Sequence, residues 1–145
     1  MIQRIQTIFL FLSALCFGTL LKLPFAISDK PSAQFLSDKI YDITDHVALL
    51  IVAGLGATLS LISIFLFKNR KLQLKFGYLI IILAILLPIV AFLLFTNESK
   101  NIDPTVQVHD QLGIFVPVVA ILFSALANYY IRKDDKLVKS MDRLR

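Results

Sequence analysis

A chain of 145 residues that is 57% hydrophobic and only 17% charged is too apolar for an ordinary soluble domain, where about a quarter of residues carry charge. That length leaves no room for a second globular unit beside a membrane core. The net charge of +5 is held in a few blocks, and the single cysteine, Cys16, excludes an internal disulfide and a CxxC redox site.

In chain order, Gln3, Arg4 and Gln6 precede an apolar run that reaches residue 21 and is closed by Lys22 and Pro24. A signal peptide shares the basic start and apolar core. The length of this core, the lysine directly after it, and proline in the nearest cleavage-like triplet, Pro24-Phe25-Ala26, predict an uncleaved first helix over about residues 3–22. Cys16 falls inside it and is expected to be a small buried apolar residue. Residues 23–46 carry Asp29, Lys30, Asp38, Lys39, Asp42 and Asp45 and are long for a helix–helix connection. Phe35, Leu36, Ile40 and Ile43 recur at near-helical spacing, which predicts a short helix on the membrane surface. Thr44 and Asp45 offer an N-cap for the next helix.

Residues 47–67 and 76–95 contain no charged side chain. At about 1.5 Å of rise per residue each run crosses a hydrocarbon core of about 30 Å, and inside lipid the backbone must be helical to satisfy itself. Between them Lys68, Asn69, Arg70, Lys71, Leu72, Gln73, Leu74 and Lys75 form a basic break, read as a tight hairpin turn at one membrane face. The second helix carries Ala53, Gly54, Gly56, Ala57, Thr58, Ser60 and Ser63, small residues that let a neighbouring helix approach closely. Pro88 is expected to kink or locally widen the third helix. Residues 96–111 read as a polar loop with turn chemistry at Asn101 and at Asp103 and Pro104. The fourth run, residues 112–131, holds Pro117, Ser124 and Asn128 and ends in Tyr129 and Tyr130, an interfacial belt. The tail, residues 132–145, is charged yet patterned. Tyr130, Leu137, Met141 and Leu144 share a helical face with Val138 beside it, and Asp135 stands four residues before Lys139, so an amphipathic helical extension is expected.

Four helices put both termini on one side. With them lie Arg4, Lys68, Arg70, Lys71, Lys75, Arg132, Lys133, Lys136, Lys139, Arg143 and Arg145, against Asp134, Asp135 and Asp142. The opposite side has Lys22, Lys30, Lys39 and Lys100 against seven acidic residues. The positive-inside rule then places the termini and the central turn in the cytoplasm. Topology accounts for the sequence pI near 9.5, and nucleic acid is not needed as a partner.

Chemistry is sparse. No ionisable group interrupts the four runs, which argues against a proton-coupled transporter, since such proteins need a carboxylate at mid-membrane. Protease sets, phosphate loops and metal-ligand motifs are absent, and no cofactor is expected. Asp45 and His46 open helix two, and His109 and Asp110 open helix four; together they could bind a divalent metal, but acids at helix N-termini and histidines at interfaces are ordinary.

The start Met1-Ile2-Gln3-Arg4-Ile5-Gln6-Thr7, the turn Phe67-Lys68-Asn69-Arg70-Lys71-Leu72-Gln73, and the ending from Ala127-Asn128 through Ile131-Arg132-Lys133-Asp134-Asp135-Lys136-Leu137-Val138-Lys139-Ser140 to Asp142-Arg143-Leu144-Arg145 resemble a family of four-helix inner-membrane proteins of the Bacteroidota, a domain of unknown function. The resemblance spans the chain and implies a bacterial inner membrane; it implies no activity, cofactor or site residue. The expected fold is thus all-α: an integral membrane four-helix bundle over residues 1–131, both termini cytoplasmic, with a basic amphipathic tail over 132–145. The expected function is a non-enzymatic accessory or scaffold protein. It would meet anionic lipid headgroups and a membrane or cytoplasmic protein partner through Lys68, Arg70, Lys71, Lys75, Arg132, Lys133, Lys136, Leu137, Met141 and Leu144. The alternative is a small uncoupled channel or transporter, with Pro88 and Pro117 as flex points and Thr58, Ser60, Ser63, Ser124 and Asn128 along a path. A third reading is a metal-dependent or lipid-acting enzyme at Asp45, His46, His109 and Asp110 on the outer face.

Overall fold

The computed structural model describes residues 5–31, 36, 38–99 and 106–142, with side chains through residue 140. Four helices carry the fold: α1 (Ile5–Thr19), α2 (Val47–Phe65), α3 (Arg70–Glu98) and α4 (Val116–Asp142). α1 packs on α2 and α4, and α3 packs on the same two, so the helices form a ring in chain order. α2, α3 and α4 are each long and apolar enough to cross a bilayer, and α1 is a shorter apolar helix. The protein is an all-α membrane bundle.

The sequence of each helix explains the ring. Buried positions are Gln6, Leu10, Ser13, Ala14 and Phe17 on α1, then Leu49, Ala53, Gly56, Ser60 and Ser63 on α2. On α3 they are Gln73, Gly77, Ile80, Ala84, Leu87 and Ala91, and on α4 Pro117, Ala120, Ser124, Ala127, Asn128 and Ile131. Steps of four and three alternate along α2 and α3, the spacing that keeps a seam facing its neighbours in a left-handed bundle. On α2 the seam therefore runs through Gly56, Ser60 and Ser63, while Ala57 is only half-buried. Most seam residues are small. Many other large side chains turn outward, with Phe65 76% and Phe92 66% exposed to the surrounding medium, while Leu10, Phe17, Leu49, Ile80, Leu87 and Ile131 pack among the small ones. Lipid tails are as apolar as leucine, so sequestering large side chains gains nothing there, and close packing through small residues holds the helices together.

Element boundaries differ from the sequence expectation in informative ways. α1 ends at Thr19, three residues early, where its hydroxyl donates to the Cys16 carbonyl and the Leu21 and Lys22 amides close tight turns on Gly18 and Thr19. Cys16 is half-buried and free. The basic break is mostly helix. Only a 3-10 turn (Leu66–Lys68) and Asn69 separate α2 from α3, and the Asn69 side chain caps α3 by accepting from the Leu72 amide at 3.2 Å. α3 continues through Pro88, and Pro117 lies in the first turn of α4, where its missing donor is tolerated.

The expected surface helix is replaced by a sheet. β1 (Ala26–Ser28) pairs antiparallel with β2 (Ile40–Tyr41) and with β3 (Val108–Asp110), in the order β2-β1-β3. Ala26 lies opposite Tyr41 on one side and Asp110 on the other, so the α1–α2 and α3–α4 connections are stitched together. Pairing between the connections satisfies backbone groups that separate extended segments would leave to solvent. The chain reaches β2 through Lys39 at φ 67°, the left-handed region, which a helix could not accommodate. Leu36 and Ile43 are fully buried under the sheet instead of lying along a helix face; Phe35 and the turn at Asn101 and Asp103 lie outside the described residues. Tyr41 anchors the sheet to α3: its hydroxyl donates to the Ala91 carbonyl at 2.9 Å, and its ring meets Phe25 and Phe95.

Two glycines test the seam. A Cβ at Gly56 would fall 2.5 Å from the Phe17 ring, and one at Gly77 would fall 1.8 Å from Asn128 Oδ1. Gly77→Ala is therefore expected to cost about 1–3 kcal/mol despite the better helix propensity of alanine. Adding Asn128→Ala to the same chain should restore much of the loss, read as unfolding midpoints in detergent. An unshifted midpoint for Gly77→Ala would show that the two helices do not approach as described.

Candidate functional site

Two features of the basic end stand out: a surface of cations and a polar interior beneath it. α3 begins with Arg70 and Lys71 and has no acidic residue in its first turn, so its cations sit at the end of the helix dipole that disfavours them. Arg70 meets a partner from α4. Its Nε donates to Asp134 Oδ2 at 3.0 Å, and its Nη2 forms an ion pair with the same oxygen at 3.0 Å. Two turns further along α3, the Tyr78 ring lies 5.3 Å from the Arg132 guanidinium. At about 1.5 Å per residue, α3 and α4 reach about 44 and 40 Å, well beyond a hydrocarbon core of about 30 Å. The tail is thus α4 itself, unbroken to Asp142 and braced against the start of α3.

Of the residues singled out from the sequence, Arg70 and Arg132 are engaged inside the protein, whereas Lys68, Lys71, Lys75, Lys133, Lys136 and Leu137 are exposed together at this end. The side chains of Met141 and Leu144 lie outside those described. The inward face of the extension is Asp134, Asp135 and Val138, each half-buried, while Leu137 is 47% exposed. Tyr129 is exposed as an interfacial residue should be, but Tyr130 turns in and stacks on Phe9 of α1 with centroids 5.5 Å apart.

Beneath the surface, Gln73 is fully buried and donates from Nε2 to the Ser63 carbonyl at 3.0 Å. Asn128 fills the space above Gly77, one turn along α3. Ser13 and Ser124 share a hydrogen bond of 2.8 Å across α1 and α4, and Ser60 bonds back to Gly56 of its own helix. Ser63, Ser124 and Asn128 are visible in the sequence as polar breaks in apolar runs. Gln73 is not, because it reads as part of the basic turn; its four-residue spacing from Gly77 is the signal that places it on the seam.

At the sheet end, His46 Nε2 lies 3.5 Å from Glu98 on α3, and His109 Nε2 lies 3.7 Å from Asp29 beyond β1. The two histidines lie beside different carboxylates, and among the described residues no group of three or more His, Cys, Asp or Glu side chains is placed to hold a metal. His46 itself, rather than Thr44 or Asp45, is the N-cap of α2 and makes no side-chain capping bond. Asp45 Oδ2 instead accepts from the Asp42 amide at 2.7 Å. Burial raises the Asp45 carboxyl above its ordinary value, with Asp42 and Asp38 adding to the effect against that amide bond. Burial also raises the Tyr41 phenol, with Asp45 and Glu98 contributing, so its hydroxyl stays a donor.

The architecture is that of a compact four-helix membrane protein with a strand cap at one end and a braced basic helix pair at the other. A family model described as a domain of unknown function (DUF4293) matches residues 2–144, and the chain belongs to that family. No curated protein and no solved structure matches it.

The extension carries a pH signature. A side-chain hydrogen bond from Lys139 is the main cause that holds the Asp135 carboxyl below its ordinary value of 3.8, with charge from Lys139, Arg70 and Lys71 assisting. A lowered folded-state value means the contribution is complete above the ordinary value and is lost as pH falls through the lowered one. Amide protection over residues 133–140 is expected to hold near neutrality and to weaken once the pH falls below the ordinary value of 3.8. Lys139→Ala should remove most of that dependence, and hydrogen exchange with the same pH profile in both proteins would contradict it.

Proposed function

We propose that this protein is a non-enzymatic accessory or scaffold protein of a bacterial inner membrane. The basic end and both termini face the cytoplasm, and the paired ends of α3 and α4 engage a membrane or cytoplasmic protein above anionic headgroups. The observation that carries this reading is the bracing of the extension. Topology explains why cations gather at one end, but it does not call for a helix continued beyond the membrane and tied to α3 through Arg70 and Asp134. Nor does folding explain Lys71, which opposes the dipole of its own helix. The pair presents Lys68, Lys71, Lys75, Lys133 and Lys136 with the apolar Leu137 among them, a surface suited to an acidic partner with an apolar contact.

The polar groups considered for a channel path support this choice over a conduit. Thr58 bonds to Gly54 of its own helix, Ser60 to Gly56, Ser124 to Ser13, and Asn128 packs against Gly77. They sit within helix contacts or bond their own backbone, which is how polar side chains brace a bundle.

Photocrosslinking in native membranes tests the proposal. A photoreactive residue in place of Lys71 or Lys136 should give the same discrete protein adduct, and one at the outward-facing Leu55 should not. Exchanging Lys71, Lys133 and Lys136 for glutamate, with a photoreactive residue at Leu137, should reduce that adduct by about a hundredfold, since each of the three basic residues contributes about 1 kcal/mol near a charged surface. Absence of any adduct from either basic position, or its persistence after charge reversal, would count against a docking role.

A further inference from the structure

The sheet end holds a feature that the docking surface does not use. A cleft of about 360 Å³ lies between the end of α3 and the strand cap. One wall is α3, at Pro88, Ala91 and Phe92, and the opposite wall is the sheet, at Ala26 and Val108. Its size is within the range of small-molecule sites, about 300–1,000 Å³. The reason for the gap is local: Ala91 and Ala26 are short, and Pro88 has only a compact ring, so neither wall projects a long side chain at those positions.

We propose that this cleft binds an acyl chain of a membrane phospholipid whose headgroup carries an amine. The chain is argued from the mouth. Phe92 lines the cleft yet is 66% exposed, on a surface shared with Ile89 and Leu93, both outward-facing on a membrane-crossing helix. A lipid tail enters such a cleft without leaving hydrocarbon. Water in it would have almost no partners, because an apolar cavity of this kind stays dry or takes up hydrocarbon. The headgroup is argued from the rim. Asp110 lines the cleft and is exposed at its polar edge, and at the same end Asp29, Asp38, Asp42, Asp45 and Glu98 outnumber Lys22, Lys30 and Lys39. An ammonium group is complementary to that edge, and an anionic headgroup is repelled by it. The Tyr41 hydroxyl, bonded to Ala91, serves as wall and not as headgroup ligand.

The test uses the full chain in vesicles doped with phosphatidylethanolamine bearing a diazirine near the ester end of one acyl chain, and in parallel with the phosphatidylglycerol analogue. The ethanolamine probe should label Ala26 and Ala91, which are buried beneath the surface that bulk lipid touches, in addition to Phe92. The glycerol probe should label those two positions about two- to fivefold less, the ratio expected of one partly exposed ion pair, and Asp110→Asn should bring the two probes level. Val108→Phe and, separately, Ile114→Phe, at a lining residue just before α4, narrow the cleft from different elements; either, with its thermal unfolding unchanged, should remove the Ala26 and Ala91 adducts and keep those on Phe92. Labelling confined to Phe92, Ile89 and Leu93 in the parent protein would overturn the site. Equal labelling by both probes in the parent would overturn the headgroup assignment.

Discussion

Close approach of helices in a medium that offers no hydrophobic drive between them is the constraint on which this structure depends. Lipid replaces water around most of the surface, so packing density and hydrogen bonds must supply the cohesion. That requirement explains why alanine, serine and glycine make up much of the seam, beside Leu10, Phe17, Leu49, Ile80, Leu87 and Ile131, while many other large apolar side chains face out. The polar members of the seam are only partly matched: Ser13 and Ser124 bond each other, Ser60 bonds Gly56 and Gln73 donates to the Ser63 carbonyl, while the Ser63 hydroxyl, Gln73 Oε1 and both polar atoms of the Asn128 side chain are buried without a hydrogen-bond partner among the described residues. Gly77 and Asn128 are the sharpest case, since one exists to make room for the other.

The two ends solve the problem of leaving the membrane differently. At the sheet end the connections are long, and their backbones pair with one another in three short strands, pinned to α3 by Tyr41. At the basic end the α2–α3 connection is almost nothing, and the helices carry on past the apolar zone. Extended helices satisfy their own backbones, but their charged side chains need organising, and Arg70 with Asp134 does that between α3 and α4. The result is a smooth acidic cap on one side and a projecting basic pair on the other.

How much of this was legible depends on length scale. Runs of twenty apolar residues are unmistakable, so the helices, their number and the helical tail could be read directly. Two- and three-residue strands fall below any periodicity window, and Ile40 and Ile43 fit a helical spacing as readily as a strand and a turn. The cap was missed for that reason. Charge misled in a second place: Lys68 to Lys75 read as a turn because cations seldom begin a helix, and the partner that offsets the charge, Asp134, is distant in sequence. Gln73 went unseen with them. The cations of this end were legible as a group, but Arg70 and Arg132 prove to have work within the fold, which sequence could not separate from the exposed lysines around them.

The account rests most directly on α3 and α4 projecting from the basic end as one braced pair. Spin labels at Lys71 and Lys133, in a Cys16→Ala background reconstituted in nanodiscs, report on it through their distance distribution by pulsed electron resonance. A single narrow distribution that widens when Arg70 is replaced by alanine is the predicted result. A broad distribution in the parent protein, indifferent to Arg70→Ala, would contradict it.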